Sequence, residues 1–155
     1  MPLTIRPAIE ADQPTIRRLI AEARINRMSL KWPNFLVAEE DGAIVGVGQV
    51  KRHDDGSREL ASIAVIPTRQ EQGIGRAIIE TLLARELGVI LYLTCRRELE
   101  DYYKRFGFRL LVGSEYPPYF RRIVPLVNAT MRLLAAMRLM RFGTQIVVMR
   151  RKAAE

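Results

Sequence analysis

The sequence predicts an α/β fold: a mixed, mostly antiparallel central sheet of about seven strands flanked by helices. Three observations predict it. Residues 35–66 alternate apolar runs with two glycine turns, Asp41-Gly42 and Asp54-Asp55-Gly56, which reads as an antiparallel meander. Residues 62–94 then run strand, glycine-opened helix, strand, and the second of these strands, Val89 to Thr94, is nearly all apolar, as a strand buried on both faces is. Finally, Phe108–Val112 and Thr144–Arg150 restart strands after the helix-stopping glycines Gly107 and Gly143.

Taken in order, Leu3-Thr4-Ile5-Arg6 is a short first strand. Asp12 stands as a helix N-cap with Pro14 in the first turn, and Ile16, Leu19, Ile20 and Ala23 fall at helical spacing as one buried stripe. In the meander, Asp41-Gly42 suits the positive φ angles of a tight hairpin turn. Gly46 and Gly48 inside a strand imply a bulge, a close backbone approach or small residues tolerated on a crowded face. His53, beside the second turn, reads as a surface residue ahead of a catalytic base. The helix opened at Gly73 carries Ile74, Ala77, Ile78 and Leu82 and ends at Gly88, a C′ glycine. A second helix, Glu98 to Phe106, places Leu99, Tyr103 and Phe106 on one face and turns Tyr103 inward.

After Pro117-Pro118 a further helix lies within Tyr119 to Arg141, with Pro125 at its start and Gly143 as its stop. Leu126, Val127, Met131, Leu133, Leu134, Met137, Leu139 and Met140 make it apolar nearly all round, interrupted by Arg132 and Arg138, so something must cover it. The readings are core of an extended fold, a homodimer face, a lid over an apolar acceptor, or an interfacial membrane contact.

A chain of 155 residues, 48% hydrophobic and 27% charged, has the composition of one ordinary soluble domain over residues 1–155. Its apolar runs are short of a transmembrane segment and its N-terminus lacks a signal peptide's apolar stretch, so the expected location is cytoplasmic. One cysteine, Cys95, and one histidine, His53, offer no internal disulfide and no zinc-ligand spacing, so no metal is expected. Cys95 at a strand end reads as a small core residue, with no histidine near in sequence to activate it as an acyl carrier. Charge is uneven: residues 1–118 hold 17 basic against 16 acidic residues, and residues 119–155 hold 8 against 1. That basic segment suits nucleic acid, an acidic membrane face, an acidic substrate or cofactor phosphates, and equally a solvated face.

The stretch from Ser62 to Ile79 carries the chemistry. Gly73 and Gly75 at a helix entrance let backbone approach a ligand while the first free N–H groups point outward along the axis, and Arg76 adds a full charge, so the site suits an anion. Ile78 and Ile79 stand where G-x-G-x-x-G needs its third glycine, and no G-K-[ST] follows, which removes dinucleotide and P-loop readings. Gln70-Glu71-Gln72-Gly73-Ile74-Gly75 fits Q/R-x-x-G-x-G after an apolar strand, and Tyr103-Lys104-Arg105-Phe106-Gly107-Phe108 fits Y-x-x-x-G-F. With these two motifs the chain resembles the GNAT N-acetyltransferase superfamily over roughly residues 3–112.

The resemblance implies a GNAT fold, with the helix after Pro117-Pro118 inserted before the last strand, and acetyl-CoA as cosubstrate. It implies that the backbone of Gln70, Glu71, Gln72, Gly73, Ile74, Gly75 and Arg76 holds the pyrophosphate, and that Ile63, Ala64 and Val65 pair with the pantetheine arm like an added strand. The acceptor is a primary amine of a small molecule or peptide, attacking directly. Such an amine is only about one part in 2,500 neutral at pH 7, so a base matters. Glu59, near where many relatives carry a glutamate, is the implied base; otherwise it is a strand-edge residue in solvent. Tyr103 is the implied acid for the thiolate. Trp32 lies in the stretch that shapes the acceptor site in the family, or simply packs. Where many members carry Asn, this chain has Arg96-Arg97, and Arg97 holds a cofactor phosphate or substrate carboxylate or is an exposed loop residue. The reading of another class is a non-catalytic GNAT-fold module that binds nucleic acid or protein through the basic C-terminal segment; an RNA-linked aminoacyl acceptor is a further reading.

Overall fold

The computed structural model of the chain describes residues 2–137 and 145–154. Its strands are β1 (Thr4–Pro7), β2 (Phe35–Glu40), β3 (Ala43–Arg52), β4 (Arg58–Val65), β5 (Leu91–Arg96), β6 (Phe108–Leu110) and β7 (Ile146–Arg151). The helices are α1 (Gln13–Glu22), α2 (Ile74–Arg85), α3 (Glu100–Lys104) and α4 (Pro118–Ala136). The seven strands form a sheet ordered β1-β2-β3-β4-β5-β7-β6, in which β4 and β5 pair in parallel and β1–β2, β2–β3, β5–β7 and β6–β7 pair antiparallel. The predicted fold class holds, including the helix before the last strand. By its contacts the chain divides into two compact units, Met1–Lys51 with Leu60–Leu87, and Arg52–Glu59 with Gly88–Glu155.

In the first unit, Asp41 (φ 50°) and Gly42 (φ 76°) make the tight turn between β2 and β3 that their sequence specifies. Ile16, Leu19 and Ile20 of α1 are buried with Phe35, Val37 and Val47, but Ala23, expected in the same stripe, is exposed because the helix has already ended at Glu22. Asp12 does precede α1, yet its carboxylate caps nothing there: it accepts the Ile9 N–H at 2.8 Å and Arg6 Nη1–H at 2.8 Å, and Arg6 also grips Glu39 at 2.6 Å. The Arg6 guanidinium holds the Asp12 carboxyl below its usual range despite burial. Gly46 and Gly48 are places of close approach by side chains: a Cβ on Gly48 would stand 2.6 Å from Ile78 Cγ2 and 2.7 Å from Ile63 Cδ1. The β2–β3 register also shifts beside Gly46: Ala38 pairs with Gly46 and Glu39 with Ile44, leaving Val45 as the extra residue of a bulge, as the glycine implied. Removing these two Cβ atoms lets α2 seat Ile78, Ile79 and Leu82 fully out of water, each contributing roughly 1.5–3 kcal/mol. The helix ends at Arg85 with Glu86 as its C-cap, three residues before the predicted glycine.

The second unit holds Gly88 instead, at φ 77°, where its N–H donates to Ala154 O at 3.0 Å. Here β5 pairs along its whole length with β7, from Leu91↔Arg151 to Arg96↔Ile146, and its burial alternates: Leu91, Leu93 and Cys95 are buried, Tyr92 and Thr94 half-buried. The expectation of burial on both faces is thus relaxed on one of them. Residues 97–99 form a tight 3-10 turn, so α3 is shorter than predicted and Leu99 is exposed. Helix α4 starts at Pro118, not Pro125, which sits inside it. A proline in a helix interior loses one hydrogen bond and costs about 3 kcal/mol. Burial of Phe120 and Val124 against Leu111 and Val148 offsets that cost, at roughly 1.5–3 kcal/mol per side chain. Ile123, Leu126, Val127, Leu133 and Met137 remain exposed, so core packing covers only one face of this helix. The predicted stop at Gly143 lies outside the described residues.

Candidate active site

The loop and helix start at which the sequence predicts an anion site, around Gly73, lie in the first unit. After β4, Pro67–Arg69 makes a 3-10 turn, Gln70 Nε2–H donates back to Val65 O at 3.0 Å, and Glu71 turns through φ 62°. Gly73, at φ 82°, is the N-cap of α2; its carbonyl accepts Ala77 N–H at 3.0 Å, but it has no side chain with which to cap the amides that follow. The first turn contains no acidic residue. Uncapped N–H groups, a favourable helix dipole and no competing carboxylate are what a diphosphate needs. Arg76 Nε–H reaches Glu80 at 2.8 Å one turn on, and both side chains are exposed.

The strand leading there is irregular at one residue. Ser62 is buried at φ 58°, a left-handed conformation costing roughly 1–2 kcal/mol for a side-chain-bearing residue, and its Oγ accepts Gln49 Nε2–H at 2.8 Å. Nothing in the sequence flags this kink. Beyond it Ala64 points inward, while Ile63 and Val65 are half-buried beneath Gly75, whose missing Cβ would meet Val65 Cγ2 at 3.7 Å and Ile63 Cγ2 at 3.9 Å.

In the second unit Glu59 is 6% exposed, which excludes the solvent reading. Its Oε1 accepts Thr94 Oγ1–H at 3.0 Å and its Oε2 lies 2.6 Å from His53 Nε2. His53 is therefore not a surface residue: its side chain is 9% exposed, stacked on Tyr119 with ring centroids 3.5 Å apart and met edge-on by Phe120 at 5.6 Å. The parallel register Glu59↔Tyr92 brings Thr94 into range, and the tight turn at residues 53–57 folds His53 back along β4. Burial pushes Asp55 up, but the Ser57 hydroxyl and the Tyr119 and Ser57 amides outweigh it and hold this carboxyl below its ordinary value.

Tyr103 projects from α3 among Tyr102, Phe106 and Phe108, at centroid distances of 5.1, 6.5 and 6.4 Å. Burial pushes its phenol up to about 12, so it carries its proton throughout the physiological range.

A family model described as "Acetyltransferase (GNAT) domain" matches residues 31–110, just over half of the chain and spanning the glycine loop and Tyr103. The chain belongs to the GNAT acetyltransferase family.

Solved structures agree on the GNAT fold. N-Acetylglutamate synthase from Neisseria gonorrhoeae, complexed with coenzyme A and N-acetyl-glutamate, superposes with a TM-score of 0.75 at 22% identity over 100% of this chain. The chain spans only 36% of that protein's length. Rv2747 from Mycobacterium tuberculosis, in complex with CoA and NLQ, gives 0.67 at 23% identity over 96% of this chain and 98% of that one. The ribosomal-protein-S18-alanine N-acetyltransferase from Escherichia coli gives 0.65 at 18% identity, over 99% and 96%. Comparison with curated proteins finds no match.

Within this GNAT chain, three other predicted residues fall as follows. Trp32 packs, half-buried, against the core of the first unit, with its backbone N–H donating to Gln13 Oε1 at 2.9 Å. Arg97 is exposed on the turn after β5, its backbone N–H donating to Gln145 O at 3.0 Å. Cys95 is buried beside Met149, and burial pushes its thiol up to about 11, the opposite of an activated nucleophile. Among the described residues no cluster of three metal-ligating side chains occurs, and no helix is long and apolar enough to cross a membrane. Sequence reading missed His53, Thr94 and Tyr119 around Glu59. The one available signal was the aromatic pair Tyr119-Phe120 directly after Pro117-Pro118, at a helix start.

Proposed function

We propose that the chain transfers an acetyl group from acetyl-CoA to a primary amine of a small molecule or peptide by direct attack. The observation that carries this reading is the uncapped, acid-free first turn of α2 behind Gln70–Gly73, a site for the donor's diphosphate. Ile63, Ala64 and Val65 would offer the pantetheine arm a strand edge. The amine nitrogen bonds to the thioester carbonyl carbon, the C–S bond breaks, Glu59 takes a proton from nitrogen, and the departing sulfur takes one from Tyr103. Glu59 suits its part because it is buried yet held by two hydrogen-bonding partners, and Tyr103 because its phenol stays protonated.

The test is thiol release from acetyl-CoA across a panel of small amines and peptide N-termini, with wild type and Glu59→Gln. Release with some amines, suppressed in the variant at unchanged acetyl-CoA binding, supports the reading. Acetyl-CoA binding without release on any amine contradicts it.

A further inference from the structure

We infer that His53 is a positioning residue for Glu59, and that the first turn of α4 locks the two into a single proton-accepting pair. The inference rests on the proposed transfer reaction, in which Glu59 is the base.

The contact itself demands a shared proton. At 2.6 Å, a nitrogen lone pair facing a carboxylate oxygen would be repulsive, so one hydrogen lies between His53 Nε2 and Glu59 Oε2. Both side chains are more than nine-tenths out of water, where an unpaired carboxylate is costly, and Thr94 Oγ1–H occupies the other oxygen. With one donor on each oxygen, the carboxylate keeps a lone pair free for an incoming N–H and cannot rotate without breaking both bonds.

The imidazole is equally fixed. Tyr119 lies flat on it, at an interplanar angle of 13°, and Phe120 closes its edge. These residues open α4, and that turn is tied to the loop bearing His53: Tyr119 N–H donates to Asp55 Oδ2 at 2.9 Å, and Arg122 reaches Asp54 at 3.4 Å. A helix inserted before the last strand thereby supplies the wall that keeps His53 against the base.

In its working state the pair carries one negative charge, with Glu59 ionised and neutral His53 donating Nε2–H. Taking a proton from the acceptor amine brings the pair to zero. If solvent has already protonated the imidazole, the pair is at zero beforehand and the cation beside Glu59 opposes further proton uptake. Proton uptake by Glu59 therefore requires a neutral imidazole beside it, so a proton arriving from solvent on either member of the pair stops turnover. Glu59 on β4 and Tyr119 and Phe120 on α4 face His53 directly, with Asp55 in its own turn; beyond them Arg122 reaches Asp54, and Tyr92 on β5 lies beside Phe120.

His53→Gln keeps a donor for Glu59 but cannot gain a charge. The acid limb of kcat should move to lower pH, because imidazole titrates at higher pH than a carboxyl group, while kcat on the plateau falls less than tenfold and KM for acetyl-CoA is unchanged. Tyr119→Leu, which frees the ring, should lower plateau kcat more than His53→Gln does. Since His53 is the sole histidine, NMR of isotope-labelled histidine reads its tautomer and titration without assignment. Glu59→Gln should change that titration and the Nε2 signal, because the carboxylate that faces Nε2 at 2.6 Å is lost. An unmoved acid limb in His53→Gln overturns the inference and leaves acetyl transfer standing, as does a histidine titration identical in wild type and Glu59→Gln. Absence of thiol release with every amine overturns both, even if the histidine titration still senses Glu59.

Discussion

The two units divide the chemistry by the kind of atom that performs it. In the first, the candidate donor site is made of main-chain N–H groups at the start of α2, placed by Gly73 in a left-handed conformation and by a 3-10 turn at Pro67–Arg69. In the second, the candidate base is a side chain whose surroundings come from residues far apart in sequence: His53, Thr94 and Tyr119. Backbone chemistry depends on local conformation, which glycine and proline spacing announce. Side-chain chemistry depends on tertiary contact, which spacing does not announce. Substitutions in the first unit should therefore weaken donor binding or stability, and those in the second should slow turnover.

The sharpest way to break this division is Glu59→Gln. We expect kcat to fall by about 10²–10⁴-fold with acetyl-CoA affinity unchanged, because only proton removal is lost. Steady-state kinetics with a calorimetric titration checks both halves, and a parallel loss of affinity would blur the distinction. Gly73→Val forces a β-branched residue to φ 82° and should weaken acetyl-CoA binding by roughly tenfold or more, about 1.4 kcal/mol per factor of ten, with kcat at saturation changed less.

Gly48→Ala sharpens the account of how α2 is held. Its Cβ would meet Ile78 and Ile63 at 2.6 and 2.7 Å, so denaturant unfolding should show a loss of about 1–3 kcal/mol, whereas Gly75→Ala, with contacts of 3.7 Å or more, should cost less. Smallest is Tyr103→Phe. A thiolate is already a fair leaving group near neutral pH, so turnover should fall only a few-fold, below the ~10²–10⁴-fold of a dominant acid or base, and binding should hold. A phenol pushed up to about 12 also predicts that Tyr103 ionisation contributes no basic limb below pH 10.

The same division explains what the sequence made legible. Asp41-Gly42, the strand alternation of residues 35–66, Gly73 and Gly75 all act through local backbone preference, and the elements they mark stand where predicted. Helix ends were less legible. Gly88 looked like a C′ glycine but serves a contact with Ala154, and Pro125 looked like a helix start but is carried inside α4 by the burial of Phe120 and Val124. Asp12 looked like a cap, yet its carboxylate is claimed by the Arg6 guanidinium, six residues earlier, and by the Ile9 N–H. His53 looked exposed because polar residues surround it in sequence; its cover arrives from Tyr119, 66 positions on. Ser62 carries no signature at all: a buried serine inside an apolar strand gives no sign of a left-handed conformation.

The most direct test of the central claim is a calorimetric titration of the wild-type protein with acetyl-CoA at low ionic strength, repeated with dephospho-CoA and with pantetheine. Main-chain amides holding the diphosphate predict saturable binding of acetyl-CoA and dephospho-CoA and little or none of pantetheine. Equal binding of pantetheine, or no saturation with acetyl-CoA, would contradict the account.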